Sequence, residues 1–288
     1  MFSLSTGKQG IEPTEWQLLR SDSELRKALE SHYRIFVDMP IGLPNRESGR
    51  DCDRELRKAL GRAFSSSVFS PPCREALKAS DYITASMVNA AYTGKKLSIQ
   101  SWNLFPKIRQ LDGLLQEDPS LRERLFESHP EWLFMIAKGG ELPGPLMDID
   151  QSRGEEIASK SEGPSHGPLT ALKFKKKTSE GIEERLSRLS LHLEASHDTY
   201  QHALHLFTRV QVARDDIVDA MILAVMAAKS VKRNAGGVMR EQEQKAGLPN
   251  GSLEGLRTFP ELGSDRSRPK VQRDGTGLPK AIWYPSSV

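Results

Sequence analysis

The sequence predicts an α/β fold in which helices flank a sheet with parallel strands. Residues 15–20 and 33–37 are apolar, strand-like runs, and residues 21–29 between them have the apolar spacing of a short helix. A strand, helix, strand order of this kind favours parallel pairing. The third observation is the run 215–230, which is rich in Ala and apolar nearly all round, as expected of a buried helix that packs against a sheet.

Capping residues and apolar spacing define the other helices. Ser21 and Glu24 form a capping box that starts the first helix. Further helical patterns cover residues 51–60, 74–92, 102–115, 180–195 and 200–212, and Pro119 opens a short helix. Residues 125–135 resemble a strand that is kinked at Pro130.

Two stretches lack this periodicity. Residues 139–170 and 232–275 are polar and hold much Gly, Ser and charge, which is typical of inserted or disordered segments. The rest of the chain suits one α/β domain, so we expect a single domain over residues 1–288 that carries two polar inserts. The apolar end, residues 278–285, is expected to dock back onto this domain.

Composition excludes several classes of protein. The 288 residues contain 41 Lys and Arg against 38 Asp and Glu, a net charge of +3, which excludes a polyacidic protein and a strongly basic nucleic-acid arm. The 2 Cys cannot build a disulfide framework and indicate reduced thiols. Residues 217–228 form the longest apolar-rich stretch, which is shorter than the roughly 20 residues that cross a bilayer. We expect a soluble, cytoplasmic protein with no membrane partner.

Acidic residues at three places are candidate metal ligands. Asp38 ends the strand-like run 33–37, where open α/β sheets bind ligands. Asp216 and Asp219 lie three apart on one helix face, and a carboxylate on so apolar a helix is costly unless it is paired or metal-bound. Glu127 and Glu131 lie four apart and would share a face of a regular strand.

Each of these acids also has a plainer interpretation. A single Asp such as Asp38 more often caps backbone N–H groups in a turn. Asp216 fits a position at the N-terminus of a helix, where a carboxylate caps N–H groups or complements the helix dipole. The same explanation fits Asp219 less well, because Asp219 lies one turn further into the helix. Glu127 and Glu131 are explained equally well as surface acids. Taken together, the acids describe a Mg²⁺ or Mn²⁺ site suited to phosphodiester hydrolysis.

Basic residues near these acids are candidate phosphate ligands. Arg50, Arg74 and Lys107 would form a basic rim suited to a phosphate backbone. The alternative is an ordinary solvated helix face, because acids alternate with the arginines in residues 50–57. The sequence leaves these two interpretations evenly balanced.

The combined motifs resemble the domain of unknown function 429 family, which is described as predicted nucleases with a ribonuclease-H fold. The resemblance rests on residues 37–44, 52–62, 67–72, 74, 100, 102, 106–108, 127–131, 176–181, 215–220 and 274–285. It implies a mixed sheet flanked by helices, with acids gathered at one sheet edge. Asp38 would be the acid beside the central strand, Asp216 and Asp219 those of the last helix, and Glu127 or Glu131 a further ligand.

The chain departs from this pattern at its start. Such proteins begin with a strand that carries Gly-x-Asp, and this Asp is the central metal ligand, whereas the first acid here is Glu12. We therefore expect the usual first strand to be missing, either because the start is assigned too late or because the ligand is lost. In the second case nuclease activity becomes doubtful.

These observations lead to a ranked set of functions. The leading hypothesis is a metal-dependent nuclease or phosphodiesterase that acts on nucleic acid, with Asp38, Asp216 and Asp219 binding Mg²⁺ or Mn²⁺. The alternative is a non-catalytic interaction module of the same fold that has lost the central ligand. Phosphotransfer to a small molecule ranks last, because no G-x-x-x-x-G-K-[ST] phosphate loop is present.

Overall fold

The computed structural model describes residues 1–7, 10–46, 49–137, 172–231, 256–259 and 272–285, which form a mixed α/β fold. The strands are β1 (Phe2–Gly7), β2 (Gly10–Trp16), β3 (Ile35–Val37), β4 (Leu125–Glu127), β5 (Leu256–Phe259) and β6 (Ile282–Pro285). The helices are α1 (Asp22–Ser31), α2 (Asp51–Phe64), α3 (Tyr82–Thr93), α4 (Ile99–Asn103), α5 (Phe105–Glu117), α6 (Pro130–Ile136), α7 (Ser179–Leu189), α8 (Ser196–Leu206) and α9 (Arg214–Lys229).

Within these residues the strands pair two by two and do not join into one sheet. β1 and β2 are antiparallel, β3 and β4 are parallel, and β5 and β6 are antiparallel. The predicted parallel pairing between runs 15–20 and 33–37 is wrong. Because β1 and β2 are consecutive in the chain and close together, they pair with each other, and β3 takes β4 as its partner.

Helix α9 is the element around which the strand pairs are arranged. It packs against β1, β3 and β6 and also against α6, α7 and α8. Its buried side chains include Val218, Met221, Ile222 and Val225, which point to more than one side of the helix. This burial confirms the prediction of a helix that is apolar nearly all round. None of the described helices is both long and apolar enough to cross a membrane.

The capping box at the first helix is confirmed. The backbone N–H of Glu24 donates to Ser21 Oγ at 3.2 Å, and the backbone N–H of Ser21 donates to Glu24 Oε2 at 3.0 Å. Two of the N–H groups at the start of α1 are thus satisfied by side chains that the sequence pattern identifies.

The prediction of a kinked strand over residues 125–135 is wrong. β4 ends at Glu127, and α6 begins at Pro130. Proline at the first helical position favours a helix start, because its φ is already helical and its missing N–H is not needed there. Glu127 and Glu131 therefore do not share a strand face; one ends a strand and the other lies in the first turn of a helix.

Parts of the predicted second insert have defined structure. Leu256–Phe259 forms β5 and pairs with β6, and Asp274 anchors a turn by accepting hydrogen bonds from the N–H groups of Thr276 and Leu278. Ile282, Trp283 and Tyr284 are buried, so the predicted docking of the apolar end is confirmed. The first insert, residues 139–170, lies outside the described residues.

Gly42 sets the contact between the loop after β3 and the C-terminal segment. Its φ is +73°, in the left-handed region, and a Cβ at this position would lie 2.5 Å from the Pro279 carbonyl oxygen. Gly94 also has a left-handed φ, of +72°, but nothing lies within 4 Å of its Cβ position. Substitutions at the two positions therefore differ in one respect: both strain the backbone, but only the one at Gly42 also creates a clash.

We predict that Gly42→Ala lowers the unfolding free energy clearly more than Gly94→Ala does. Gly94→Ala should cost about 1 kcal/mol through its φ alone. Gly42→Ala should cost about 2–4 kcal/mol, because the clash with the backbone of Pro279 adds to the same conformational cost. Urea denaturation of both variants checks this, and equal costs would contradict the proposed packing.

Candidate functional site

Carboxylates from three elements meet at the end of β3. Asp38 follows β3 directly, Glu131 lies in the first turn of α6, and Asp215, Asp216 and Asp219 come from the first turns of α9. We call these five residues the acidic cluster. The charges of Asp216 and Glu131 both act on Asp38, and those of Asp38 and Glu131 act on Asp219. The structure thus brings together four of the five acids that the sequence predicts.

A lysine lies among these acids. The Lys176 ammonium contacts Asp219 Oδ2 at 2.7 Å and Asp215 Oδ2 at 3.7 Å, and its charge also acts on Asp38. These partners raise the pKa of Lys176 against the lowering effect of burial, so it stays protonated. The acidic cluster therefore contains its own cation.

The backbone near Lys176 is fixed by α7. Thr178 caps this helix, and its hydroxyl accepts a hydrogen bond from the backbone N–H of Gly181 at 3.0 Å. A Cβ on Gly181 would overlap the carbonyl oxygen of Lys175. The absence of a side chain at Gly181 therefore lets the segment before α7 pack closely enough to bring Lys176 to Asp219.

The acidic cluster forms an open recess and not a sealed core. Asp215, Asp219 and Glu131 are buried, whereas solvent reaches the side chains of Asp38 and Asp216. Desolvation raises the pKa of Asp38 to about 6, with Lys176 opposing the shift. Solvent therefore reaches Asp38 even though the surrounding protein atoms desolvate its carboxylate. A ligand in solution has access to the same carboxylate.

Asp219 has the most strongly perturbed carboxylate of this recess. Burial raises its pKa to about 7, although Lys176 opposes the shift. Its Oδ1 atom is buried and has no hydrogen-bond partner among the described residues. A buried carboxylate oxygen without a partner is costly, and a second cation would relieve that cost.

His129 borders the cluster. It is 9% exposed, and burial lowers its pKa to about 4, so the imidazole is neutral at physiological pH. Its Nδ1 atom is buried without a hydrogen-bond partner among the described residues. Glu131 close by accepts a hydrogen bond from Arg185 Nη2 at 2.7 Å, which orients its carboxylate.

Sequence reasoning missed Lys176, His129 and Asp215 as members of the site. Lys176 stands in a basic run just before the helix cap Thr178, and His129 precedes the helix-starting Pro130. Both sequence positions indicate where a helix starts, but neither shows which residue the side chain contacts. Their proximity to Asp219 depends on how α6, α7 and α9 pack together.

Arg50 and Glu127 have a structural role. The Arg50 side chain is 2% exposed, its Nε donates to Asp53 and its Nη1 to the carbonyls of Ile41 and Gly42, and its Nη2 pairs with Glu127. Glu127 also accepts a hydrogen bond from the backbone N–H of Ile41 at 2.6 Å. Since every nitrogen of the guanidinium is engaged inside the protein, Arg50 is not available to a phosphate backbone.

The Arg74 guanidinium is also engaged inside the protein, whereas the Lys107 side chain is exposed to solvent. Arg74 donates to both carboxylate oxygens of Asp112, at 2.8 and 2.7 Å, and to Asp274 at 2.6 Å. Lys107 is exposed on the first turn of α5, and its charge acts on Asp216. Of the three predicted phosphate ligands, Lys107 has the geometry for that role.

The donors in the recess fit a hard divalent cation in their chemistry. Carboxylate oxygens suit Mg²⁺ and Mn²⁺, and the buried Asp219 Oδ1 has a lone pair that no described residue engages. Among the described residues, however, no three His, Cys, Asp or Glu side chains form a preassembled metal site. The Lys176 ammonium lies between these acids, so ion binding requires it to move away from Asp219.

Comparison with known proteins gives one family. A sequence model described as "Protein of unknown function (DUF429)" matches residues 14–152 and 168–243. No curated protein and no solved structure matches the chain. The match covers β3, β4, α6, α7 and all of α9 and therefore includes every member of the acidic cluster and Lys176.

We predict that Arg50→Ala lowers the unfolding free energy by about 3–5 kcal/mol, because it leaves Glu127 and Asp53 buried without their cation. Arg54, on the same helix, is the control: its side chain is 62% exposed and pairs with Asp51. Arg54→Ala should cost less than about 1 kcal/mol. Guanidinium denaturation measures both, and similar losses would show that the Arg50 network does not support the fold.

We predict that without divalent cation the protein loses stability between about pH 4 and about pH 7. A carboxylate whose folded pKa is raised stabilises the fold below its unfolded pKa of about 4, and that stability is lost as pH rises through the folded pKa. For Asp219, with a folded pKa of about 7, the loss over the whole window is about 4 kcal/mol.

Asp219→Asn should make this dependence less steep, because the amide does not titrate while Asp38 still does. Asp198→Asn removes an exposed acid of α8 and should leave the dependence unchanged. Urea denaturation across this pH range provides the measurement. A wild-type slope in Asp219→Asn would mean that Asp219 does not titrate near pH 7.

Proposed function

The chain belongs to the DUF429 family of proteins of unknown function, and we propose that it is a divalent-cation-dependent phosphodiesterase that acts on nucleic acid. The observation that carries the proposal is the solvent-accessible recess in which Asp38, Asp216 and Asp219 lie close to one another with Glu131. Carboxylates gathered in this way at a strand end favour cation binding and phosphoryl chemistry.

Asp38, Asp216 and Asp219 would hold the ion, with Glu131 assisting. A Mg²⁺ or Mn²⁺ ion bound there would lower the pKa of a water molecule and stabilise negative charge that develops on a phosphate. Lys176 must first release Asp219. Its ammonium then lies within the recess, where it can pair with a phosphate oxygen and so replace the contact that it lost.

The basic residues at the mouth of the recess suit a nucleic-acid backbone. The charges of Lys107 and Lys177 both act on Asp216, and both side chains are exposed. Lysines at this position would attract and orient the phosphates on either side of the bond to be cleaved, without reading the bases. The proposal also includes a ribonuclease-H-like arrangement of the strands and a cytoplasmic location.

A non-catalytic interaction module of the same fold is the second candidate. The ion pair between Lys176 and Asp219 favours it, because an internal ammonium already compensates the buried acids. In this case the recess would keep Lys176 in place at every cation concentration. The two candidates therefore differ in whether a divalent cation displaces Lys176.

We predict that Mn²⁺ raises the melting temperature by several degrees at pH 8 and by much less at pH 6. Carboxylates must lose their protons to bind the ion, and the pKa values of Asp38 and Asp219 are about 6 and about 7. Asp219→Asn should abolish the shift and Asp198→Asn should retain it. If Mn²⁺ leaves the melting temperature unchanged at pH 8, the interaction module is favoured.

Cleavage is the direct test of activity. Labelled single-stranded, duplex and branched nucleic acids are incubated with the protein and Mg²⁺ or Mn²⁺, and the products are separated by size. Asp38→Ala and Asp219→Ala should each abolish cleavage, while Asp198→Ala should not. Cleavage that persists in both cluster variants would exclude the acidic cluster as the active site.

We predict that Lys176→Met tightens Mn²⁺ binding about tenfold at pH 8, because the ion no longer competes with the ammonium; a tenfold change corresponds to about 1.4 kcal/mol. Lys177→Met is the control: Lys177 is the next residue in the chain but its side chain is exposed at the mouth of the recess, so its removal should change the affinity little. Isothermal titration calorimetry gives both values. Equal affinity in the wild type and in Lys176→Met would show that Lys176 does not occupy the cation position.

A further inference from the structure

A pocket lies beside α4 and the first turn of α5. Its volume is about 340 Å³. It is lined by Ala79, Ser80, Trp102, Asn103, Phe105, Pro106 and Arg109. This volume is at the small end of the range for ligand pockets, so it suits one flat heterocycle better than an extended ligand.

The pocket has a fixed aromatic wall. Trp102 is half-buried, and its ring is held by Phe105, at 4.8 Å between centroids, and by Tyr82, at 6.3 Å. Because these contacts restrain the indole, a base that stacks on it loses little entropy to side-chain ordering. A restrained aromatic ring with a solvent-accessible part is the usual platform for an unpaired base.

Polar groups complete the pocket. Ser80 and Asn103 are exposed and offer both donors and acceptors for the edge of a base. Arg109 donates from Nε and Nη2 to the carbonyl of Leu77, at 3.0 and 2.5 Å, which holds its guanidinium plane in place at the pocket. An aromatic face together with a planar cation and hydrogen-bonding groups is the chemistry that recognises a nucleobase.

Lys107 connects this pocket to the acidic cluster. It follows Pro106, which lines the pocket, and its charge acts on Asp216 at the mouth of the recess. A strand whose phosphate pairs with Lys107 would therefore lie near both the recess and the pocket.

We propose that the pocket at Trp102 is a subsite for one unpaired nucleobase of a single-stranded nucleic acid, stacked on the indole while Lys107 holds the adjacent phosphate. The choice of nucleic acid as the ligand of this subsite rests on the proposed function. A base inside a duplex is stacked on both faces and paired along one edge. Because it cannot reach the indole in that state, this pocket selects single strands.

The test is a titration of the full-length protein with a short oligothymidylate in EDTA, where no metal-dependent cleavage occurs. Binding is followed by fluorescence anisotropy of the labelled strand and by the NMR signal of the Trp102 indole N–H, assigned with Trp102→Phe. We expect this signal to shift with the single strand and not with the same strand in a duplex.

Variants separate stacking from charge. Trp102→Ala should weaken binding about tenfold, and Trp102→Phe should restore most of the affinity. Ile99→Ala is the matched control, because Ile99 is 56% exposed on α4 and does not line the pocket. Lys107→Ala should reduce the salt dependence of binding by about one phosphate contact, whereas Trp102→Ala should leave it unchanged.

The outcomes distinguish the subsite from the phosphodiesterase. Binding that depends on Trp102 without any cleavage in Mg²⁺ or Mn²⁺ supports the subsite and overturns the proposed activity. Cleavage together with wild-type affinity in Trp102→Ala overturns the subsite. An unshifted indole signal at saturating single strand also overturns it. This titration is made on the wild-type protein, and Trp102→Phe serves only to assign the signal.

Discussion

The buried guanidinium of Arg50 is the interaction on which the rest of this site depends. It joins the start of α2, the loop after β3 and the end of β4, through Asp53, the carbonyls of Ile41 and Gly42, and Glu127. Glu127 closes the same network by accepting from the Ile41 N–H. A buried charge that lacks its partners is very costly, so the loop has one stable position. Asp38 begins that loop and is held at the edge of β3.

A second cation, the half-buried Lys176, has a different character. Arg50 uses every nitrogen of its guanidinium in a closed set of contacts. Lys176, in contrast, leaves Asp219 Oδ1 without a hydrogen-bond partner in the part of the chain that the structure describes, and it lies beside carboxylates that solvent reaches. One network is satisfied and rigid, and the other is incompletely compensated. Sites that bind ions or substrates commonly keep such perturbed groups, because the ligand supplies what the fold does not. The Arg50 network thus holds the recess in shape, whereas Lys176 and the acidic cluster are the groups available to a ligand.

Local sequence signals predicted the elements that carry the site. The box of Ser21 and Glu24 started α1, the strand before Asp38 was found, and the Ala-rich run defined α9. Residues 125–135 were mistaken for one strand, because a short apolar segment looks alike in a strand and a buried helix, and the weight of Pro130 as a helix start was missed. The same error placed Glu127 and Glu131 on a common face.

The sequence by itself determined which residues could do chemistry here: an acid at a strand end, two acids on an apolar helix, and a family of proteins that shares these motifs. The tertiary structure alone decided how they are partnered. Arg50 and Arg74 have the same charge as Lys107, yet they pair internally across long sequence separations while Lys107 stays at the surface. The physical reason is that burial and ion pairing arise from packing between segments that are distant in the sequence. The local sequence around a charged residue therefore does not specify which partner packing brings to it.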